Sequence, residues 1–313
     1  YYRSQGAVVS LDQIFLTAST SEAYGFLFRL LADPGDHIVF PKPSYPLFEF
    51  LAGLHDLDWR TYALVYEDAW VLDRKSFHHS LEDGARAVIL VNPNNPTGSC
   101  LNREDRDVIF AESARRGIPI ICDEVFLDYH YSGRPAASLA GNTKNLTFVL
   151  GGLSKALALP QMKCSWIVVN GPQALVAEAV SRLEIIADTF LSVNSPAQNA
   201  LADWMALRPD IQRQILDRIL RNRKFLEEEL RQTDGNGSLL RSDGGWCAVV
   251  QSASMNDDEE SFVVRLLEEE RVCVHPGYFF DFSENGYFVL SLLPEEGIFQ
   301  EGVRRFLKCL CKI

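Results

Sequence analysis

The sequence predicts an α/β fold in which helices flank a mostly parallel sheet, with a smaller α+β domain towards the C-terminal end. Two observations indicate this. Strand-length apolar runs without polar alternation occupy residues 87–91, 118–122, 147–150 and 166–169, the pattern of strands that are covered on both faces. After about residue 195 the pattern changes to a long helical stretch followed by alternating strands and helices.

A helix is predicted between the first two apolar runs. Asn102 can cap its N-terminus, Glu104 and Asp105 lie in its first turn, and Gly117 can end it. A strand, a helix and a second strand in this order form the repeating unit of a doubly wound sheet.

The C-terminal part is predicted to begin with a long helix that Pro209 opens and that carries apolar residues at helical spacing. Beyond this helix, residues 246–250 and 287–292 are predicted as strands, and residues 261–270 and 297–311 as helices. We therefore predict a large domain over residues 1–200. A smaller domain over residues 201–313 would include the long connecting helix.

The composition excludes several classes of protein. The 313 residues contain 47% hydrophobic and 23% charged side chains, which argues against disorder and fibres. The 30 basic and 42 acidic residues give a net charge of −12, which argues against a general binder of nucleic acid or anionic membranes. The apolar runs are shorter than the roughly 20 residues that span a bilayer.

Seven cysteines without a metal-ligand spacing predict reduced thiols, no metal site and a cytoplasmic location.

Four polar features follow predicted strands or open a helix. They are residues 17–22, residues 92–98, Asp123 and residues 151–155. In open α/β sheets, ligands bind where the carboxyl ends of the strands meet. Each feature also has a simpler explanation, namely a helix cap, an ordinary turn, a capping carboxylate and a surface lysine. Lys155, however, lies among small and apolar residues, and desolvation of its amine would favour a nucleophile.

The order of these motifs resembles the class I/II aminotransferases, which are fold type I enzymes that use pyridoxal 5′-phosphate (PLP). The resemblance rests on Asn-Pro-x-Asn-Pro-Thr-Gly at residues 92–98, Asp-Glu-Val at 123–125 and Ser-Lys at 154–155, in that order. It covers essentially the whole chain and implies the three-layer fold of PLP-dependent transferases. Since the family carries a segment ahead of Tyr1, the resemblance also implies an N-terminally short form.

The resemblance implies a role for each matching residue. Lys155 would form the Schiff base with PLP, Asp123 would pair with the protonated pyridine nitrogen, and Asn95 would bond the 3′-oxygen. Tyr45, between two prolines, would stack on the ring. The remaining cofactor contacts would come from Ser19, Thr20, Ser21, Ser154 and Lys163.

This chain departs from the family pattern at several positions. Lys163 stands where an arginine usually binds the phosphate, and it lacks the bidentate geometry of a guanidinium. Gly152 replaces a common serine. Phe126 replaces a tyrosine that donates to the 3′-oxygen, and Tyr129 could supply that donor instead. Val289 stands where an arginine usually binds the substrate α-carboxylate.

The function that the resemblance implies is an aminotransferase that moves an amino group between an amino compound and a 2-oxo acid through Lys155. Two alternatives stay open: a PLP-dependent lyase that catalyses β-elimination on the same fold, and a PLP-binding domain without turnover. Fold type I sites lie at a two-fold interface, so a homodimer is expected.

Overall fold

The computed structural model describes residues 1–131, 137–233, 235–252 and 258–311. Within them, a large sheet has the strand order β1-β8-β7-β6-β5-β2-β3-β4. Its strands are β1 (Ile14–Thr17), β2 (His37–Lys42), β3 (Asp58–Tyr66), β4 (Trp70–Leu72), β5 (Val88–Val91), β6 (Ile120–Asp123), β7 (Thr147–Gly152) and β8 (Ser165–Asn170).

Helices cover both faces of this sheet. They are α1 (Thr20–Leu31), α2 (Phe48–Gly53), α3 (Arg74–Ser80), α4 (Arg103–Arg116), α5 (Leu153–Ala156) and α6 (Gln173–Phe190). Alternate residues of each central strand enter opposite cores, as Ile120 and Ile121 of β6 do. The predicted three-layer arrangement is therefore confirmed.

The predicted helix after β5 is α4. Asn102 accepts a hydrogen bond from the Asp105 amide at 2.8 Å, and Gly117 ends the helix in the left-handed region at φ 68°. A side chain there would be strained, so glycine suits this C-terminus.

The strand direction differs from the expectation at one place. Strands β2, β3, β5, β6 and β7 are parallel, but β8 pairs antiparallel with β7 and with β1. All six residues of β8 are buried. A continuous apolar run indicates that a strand is buried on both faces. It does not indicate whether the strand is parallel or antiparallel to its neighbours.

A small antiparallel sheet with the order β11-β12-β10-β9 forms the C-terminal part. Its strands are β9 (Ser238–Leu239), β10 (Cys247–Gln251), β11 (His275–Pro276) and β12 (Tyr287–Ser291), and the accompanying helices are α7 (Ser195–Ala206), α8 (Arg208–Leu230), α9 (Glu259–Glu270) and α10 (Glu296–Leu310). The long predicted helix is α8. Residue 200 lies within α7, and the division into residues 1–200 and 201–313 stays a prediction.

Asn222 joins α8 to the end of β12. Its buried amide donates to the Leu292 carbonyl at 3.0 Å and to the Pro294 carbonyl at 2.8 Å. Both carbonyls follow the last strand of the small sheet, so a single side chain satisfies two main-chain acceptors that the helix covers.

We expect Asn222→Ala to lower the free energy of unfolding by about 1–3 kcal/mol, because it leaves these buried carbonyls without their donor. Urea denaturation measures the change. Gln214→Ala, on the exposed side of the same helix, is the matched control and should change stability by less than about 0.5 kcal/mol. Equal effects of the two substitutions would contradict this role for Asn222.

Candidate active site

The carboxyl ends of β5, β6 and β7 meet at one edge of the large sheet. These strands are adjacent and parallel, and the register pairs Val91 with Asp123 and Asp123 with Leu150. The Asn-Pro loop therefore starts beside Asp123, and the segment that leads to Lys155 starts on its other side. Residues 17–22 begin at this edge as well, because Thr17 at the end of β1 pairs with Ser165, which also pairs with Gly152 at the end of β7. The structure thus brings all four predicted features to the same edge.

Asp123 ends β6 with a carboxyl that is held from two sides. Its Oδ1 accepts a hydrogen bond from the Val125 amide at 3.1 Å, and its Oδ2 accepts one from the Tyr24 hydroxyl at 3.2 Å. Burial raises the pKa of Asp123 to about 6, although these hydrogen bonds and the nearby charge of Lys155 counteract the shift. The carboxyl is desolvated, and its two oxygens have room for a further donor.

Lys155 lies in α5, directly after β7, with its amine beside two aromatic rings that pack against each other. The Nζ atom is 5.5 Å from the centroid of Phe126 and 5.1 Å from that of Trp246. Desolvation lowers the pKa of Lys155, while the charge of Asp123 acts in the opposite direction. A lowered pKa increases the fraction of neutral amine, which is the nucleophilic form.

Tyr129 has a different partner from the one that the sequence suggested. Its hydroxyl donates to the main-chain carbonyl of Lys155 at 2.8 Å, so the hydroxyl proton is engaged there. Tyr129 also packs edge-on against Trp246, with the ring centroids 5.1 Å apart. It supports the walls around Lys155 and fixes the backbone from which that side chain extends.

Asn95 lies in the loop after β5 and contacts the small sheet. The Cys247 thiol lies 3.9 Å from Asn95 Oδ1, in the orientation of a weak hydrogen bond. Burial raises the pKa of Cys247 to about 11, so the thiol is protonated at neutral pH and can act as the donor. This leaves the Nδ2 group of Asn95 available to a ligand acceptor.

The neighbouring Asn94 fixes the position of this loop. Its buried amide donates to the Pro43 carbonyl at 3.0 Å and to the Thr97 hydroxyl at 2.9 Å, and it accepts a hydrogen bond from the Ser44 hydroxyl at 3.3 Å. Asn94 therefore ties the loop after β5 to the loop after β2, which carries Tyr45.

The start of α1 carries the hydroxyl residues expected at the phosphate. The Ser19 side chain caps the helix by accepting from the Glu22 amide at 3.1 Å, while Glu22 accepts from the Ala18 amide at 2.6 Å. Helix geometry leaves the Thr20 and Ser21 amides without an intrahelical acceptor. Ser19 thus acts as a cap, and the following amides are available to an anion.

The other predicted cofactor contacts are more exposed. Tyr45 is 47% exposed in the loop after β2. Ser154 is half-buried in the first turn of α5. Lys163 is exposed between α5 and β8, in the left-handed region at φ 50°. Their contacts with a cofactor stay predictions.

Val289 lies in β12 and is buried in an apolar cluster between the two sheets. The cluster also contains Trp70, Leu240, Val249, Phe280 and Phe282. Val289 pairs with Val249 of β10, and Cys247 lies two residues before Val249 on the same face of that strand. One apolar sheet face therefore runs from Val289 to the thiol beside Lys155.

Glu124 is a second carboxyl at this edge, and it points into the protein. Its oxygens accept hydrogen bonds from the Ser138 hydroxyl and from the Leu139 amide, both at 2.6 Å. Burial raises the pKa of Glu124 to about 7. Because its acceptors are used within the fold, Glu124 supports the turn after β6.

Sequence reasoning missed Tyr24, Trp246 and Cys247. Tyr24 lies in the apolar stretch of α1, where an aromatic residue reads as a core residue. The other two belong to a segment that was predicted only as a strand. Their contact with the site depends on packing between distant segments, which periodicity does not reveal.

The family model described as "Aminotransferase class I and II" matches residues 1–298. The chain belongs to this family. The recognition from motif order is thereby confirmed, together with its fold type I architecture. The family and its structural neighbours bind PLP. The desolvated amine of Lys155, the half-buried acid Asp123 and the free helix amides fit such a cofactor.

Several curated relatives are named as aminotransferases. The chain is 25% identical to glutamate-pyruvate aminotransferase AlaA of Haemophilus influenzae over 99% of its own length and 78% of that protein. It is 25% identical to nicotianamine aminotransferase 1 of Oryza sativa over 86% of its length and 56% of the relative. For human tyrosine aminotransferase the identity is 30%, over 54% of the chain and 38% of that protein. The chain thus spans about half the length of several curated relatives.

Solved structures show the same fold. Alanine aminotransferase from Pyrococcus furiosus superposes with a TM-score of 0.91 at 25% identity, over 99% of this chain and 79% of that one. Cystalysin from Treponema denticola, a structure that contains PLP, superposes with a TM-score of 0.87 at 16% identity, over 97% of this chain and 78% of the other. The second comparison supports the fold alone.

Two further observations concern the described residues only. None of their helices combines the length and the apolar character that crossing a membrane requires. Within the same part of the chain, no three His, Cys, Asp or Glu side chains are grouped so that they could hold a metal ion.

The raised pKa of Glu124 makes stability depend on pH. A carboxyl whose pKa is higher in the folded state than in the unfolded state stabilises the fold below the unfolded value, and this contribution is lost as the pH rises through the folded value. We therefore expect Glu124 to lower stability by on the order of 1–3 kcal/mol between about pH 4.5 and pH 7.

Glu124→Gln should reduce this loss of stability, since the amide does not ionise. The measurement is the free energy of unfolding in urea at pH 5 and at pH 8. Glu268→Gln, at an exposed position, should leave the wild-type difference between the two pH values unchanged. An unchanged difference in Glu124→Gln as well would show that Glu124 does not ionise over this range.

Proposed function

We propose that this chain is a PLP-dependent aminotransferase that moves an amino group between an amino compound and a 2-oxo acid. The observation that carries the proposal is that a desolvated lysine amine and a desolvated carboxyl lie at the ends of adjacent strands. Lys155 has a lowered pKa and Asp123 a raised one, and each lies within the electrostatic reach of the other. Neighbouring titratable groups whose pKa values are shifted are typical of functional sites.

Lys155, Asp123 and Asn95 would each have a separate role in the reaction. Bound PLP would supply an electron sink for the electrons left on the substrate when a proton departs from its reacting carbon. Lys155 would hold the cofactor through Nζ, and its neutral amine would then accept and return the proton. Asp123 would place a negative charge against the protonated ring nitrogen, and Asn95 Nδ2 would donate to the 3′-oxygen.

The remaining contacts are proposed from the family pattern. The Thr20 and Ser21 amides at the start of α1 would receive the phosphate, with Ser19 as the cap. Tyr45 would cover one face of the ring. Further phosphate contacts would come from Ser154 and Lys163.

The partners of the reaction are an amino donor and a 2-oxo acid acceptor, and we propose a homodimer as the assembly. The amino donor is constrained by the position of Val289. The apolar face that includes Val289, Val249 and Cys247 offers no positive charge to a carboxylate, and it favours the apolar part of a substrate.

The first test concerns Lys155. Wild-type protein incubated with PLP should become yellow, and borohydride reduction should leave a stable adduct on the peptide that contains Lys155, detectable by mass spectrometry. Lys155→Ala should give no adduct. Lys144→Ala, at an exposed position, is the matched control and should behave like the wild type. A wild-type protein that binds no added PLP would refute the proposed function.

The second test concerns the amino donor, with two compounds that differ only in the carboxylate. Phenethylamine should convert the cofactor at least about tenfold faster than phenylalanine does at equal concentration, because bringing a carboxylate against an apolar face carries a desolvation cost. Single-turnover absorbance measurements give both rates.

The products of the same reactions distinguish the alternatives. Transfer of the amino group to an added 2-oxo acid supports an aminotransferase. Release of ammonia together with a 2-oxo acid from a substrate that carries a β-leaving group would indicate the lyase. Stoichiometric binding of PLP without turnover of any amine would indicate the binding domain. A faster reaction with phenylalanine would contradict the role assigned to Val289.

A further inference from the structure

Tyr24 connects α1 to the acid at the end of β6. It is 2% exposed, and its hydroxyl donates to Asp123 Oδ2 at 3.2 Å. The ring is fixed by Phe28 and Phe48, whose centroids lie 5.9 and 5.4 Å away. The position of the hydroxyl is therefore set by core packing, and the hydrogen bond joins segments that are 99 residues apart in the chain.

The two donors to Asp123 differ in kind. The Val125 amide belongs to the turn that immediately follows the acid, so it moves with the acid itself. The Tyr24 hydroxyl comes from another element and fixes the carboxyl relative to α1. A carboxylate offers about four acceptor sites, so these two bonds leave capacity for a third donor such as a ring N–H.

We propose that Tyr24 is a positioning residue that orients the Asp123 carboxyl towards the pyridine nitrogen of the bound cofactor. This inference rests on the proposed function, since it assigns Asp123 to that nitrogen.

Helix α1 links the hydrogen bond between Tyr24 and Asp123 to the proposed phosphate site. Thr20 and Ser21 are at the start of the helix, and Tyr24 lies four residues beyond Thr20, or about 6 Å along the axis. One rigid helix therefore carries both the amides proposed for the phosphate and the hydroxyl that fixes the acid. The distance between the two ends of the cofactor site is set within a single element.

The Tyr24 hydroxyl keeps its proton at neutral pH. Burial, followed by the charge of Asp123, raises the pKa of Tyr24 well above its usual value of 10. Tyr24 can therefore donate to the Asp123 carboxylate at neutral pH.

Tyr24→Phe removes the hydroxyl and keeps the ring. The experiment measures the dissociation constant of apoprotein for PLP and for an analogue in which a carbon replaces the ring nitrogen. We expect Tyr24→Phe to weaken the binding of PLP by about tenfold and to leave the binding of the analogue within about twofold of the wild type. This difference depends on the ring nitrogen, which a purely structural role would not produce.

Tyr62→Phe is the matched control. Tyr62 is equally buried, and its hydroxyl donates to the Ile89 main-chain carbonyl at 2.8 Å instead of to the acid. It should not change the ratio of the two dissociation constants. Tyr24→Met provides a second way to remove the hydroxyl, and it should change the ratio in the same direction as Tyr24→Phe.

The Asp123→Asn background completes the test. There, Tyr24→Phe should have no further effect that depends on the ring nitrogen. An equal loss of affinity for both ligands, or no loss for either, would overturn the positioning role while leaving the proposed function intact. A wild-type protein that binds neither ligand would instead overturn the proposed function, and the positioning role with it.

Discussion

The parallel pairing of β5, β6 and β7 is the constraint on which the candidate site depends. The carboxyl ends of neighbouring parallel strands lie at the same edge of a sheet. The pairing of Asp123 with Val91 and with Leu150 therefore fixes where the three following loops begin. It also carries the acid into a region that water reaches poorly, and its raised pKa follows from that position.

A desolvated carboxyl of this kind requires compensation, and the surrounding structure supplies it from several elements. The turn after β6 provides the Val125 amide, α1 provides the Tyr24 hydroxyl, and α5 provides the charge of Lys155. Glu124, the next residue, is compensated separately by hydrogen bonds from Ser138 and Leu139. Successive side chains of an extended chain point in opposite directions. The first carboxyl is therefore available to a ligand, and the second stabilises the turn.

The sequence was informative where a local pattern has a local cause. Apolar runs predicted β5 to β8, because a strand that is buried on both faces needs apolar residues throughout. Asn102 and Gly117 predicted the ends of α4, because capping requires particular residue types at these positions. The direction of β8 was not predictable, since a strand buried on both faces has the same composition in either orientation. Motif order singled out Lys155 and Asp123, and their roles stay predictions. Tyr24 was not singled out, because nothing in α1 distinguishes a hydroxyl that reaches a distant carboxyl from an ordinary core tyrosine.

The large sheet and the small sheet contribute different kinds of side chain to the surroundings of Lys155. The elements of the large sheet supply charge and hydrogen bonds. The small sheet supplies Trp246, which directly precedes β10, and the protonated Cys247 thiol. Val249 of β10 also belongs to the apolar cluster around Val289. An ion pair to a carboxylate can discriminate strongly between substrates with and without that group. An apolar face discriminates less, because each methylene group changes the binding free energy by only about 1–3 kcal/mol. Under the proposed function, a site that is polar on one side and apolar on the other would select a substrate chiefly by its reactive amine and by the size of its apolar part.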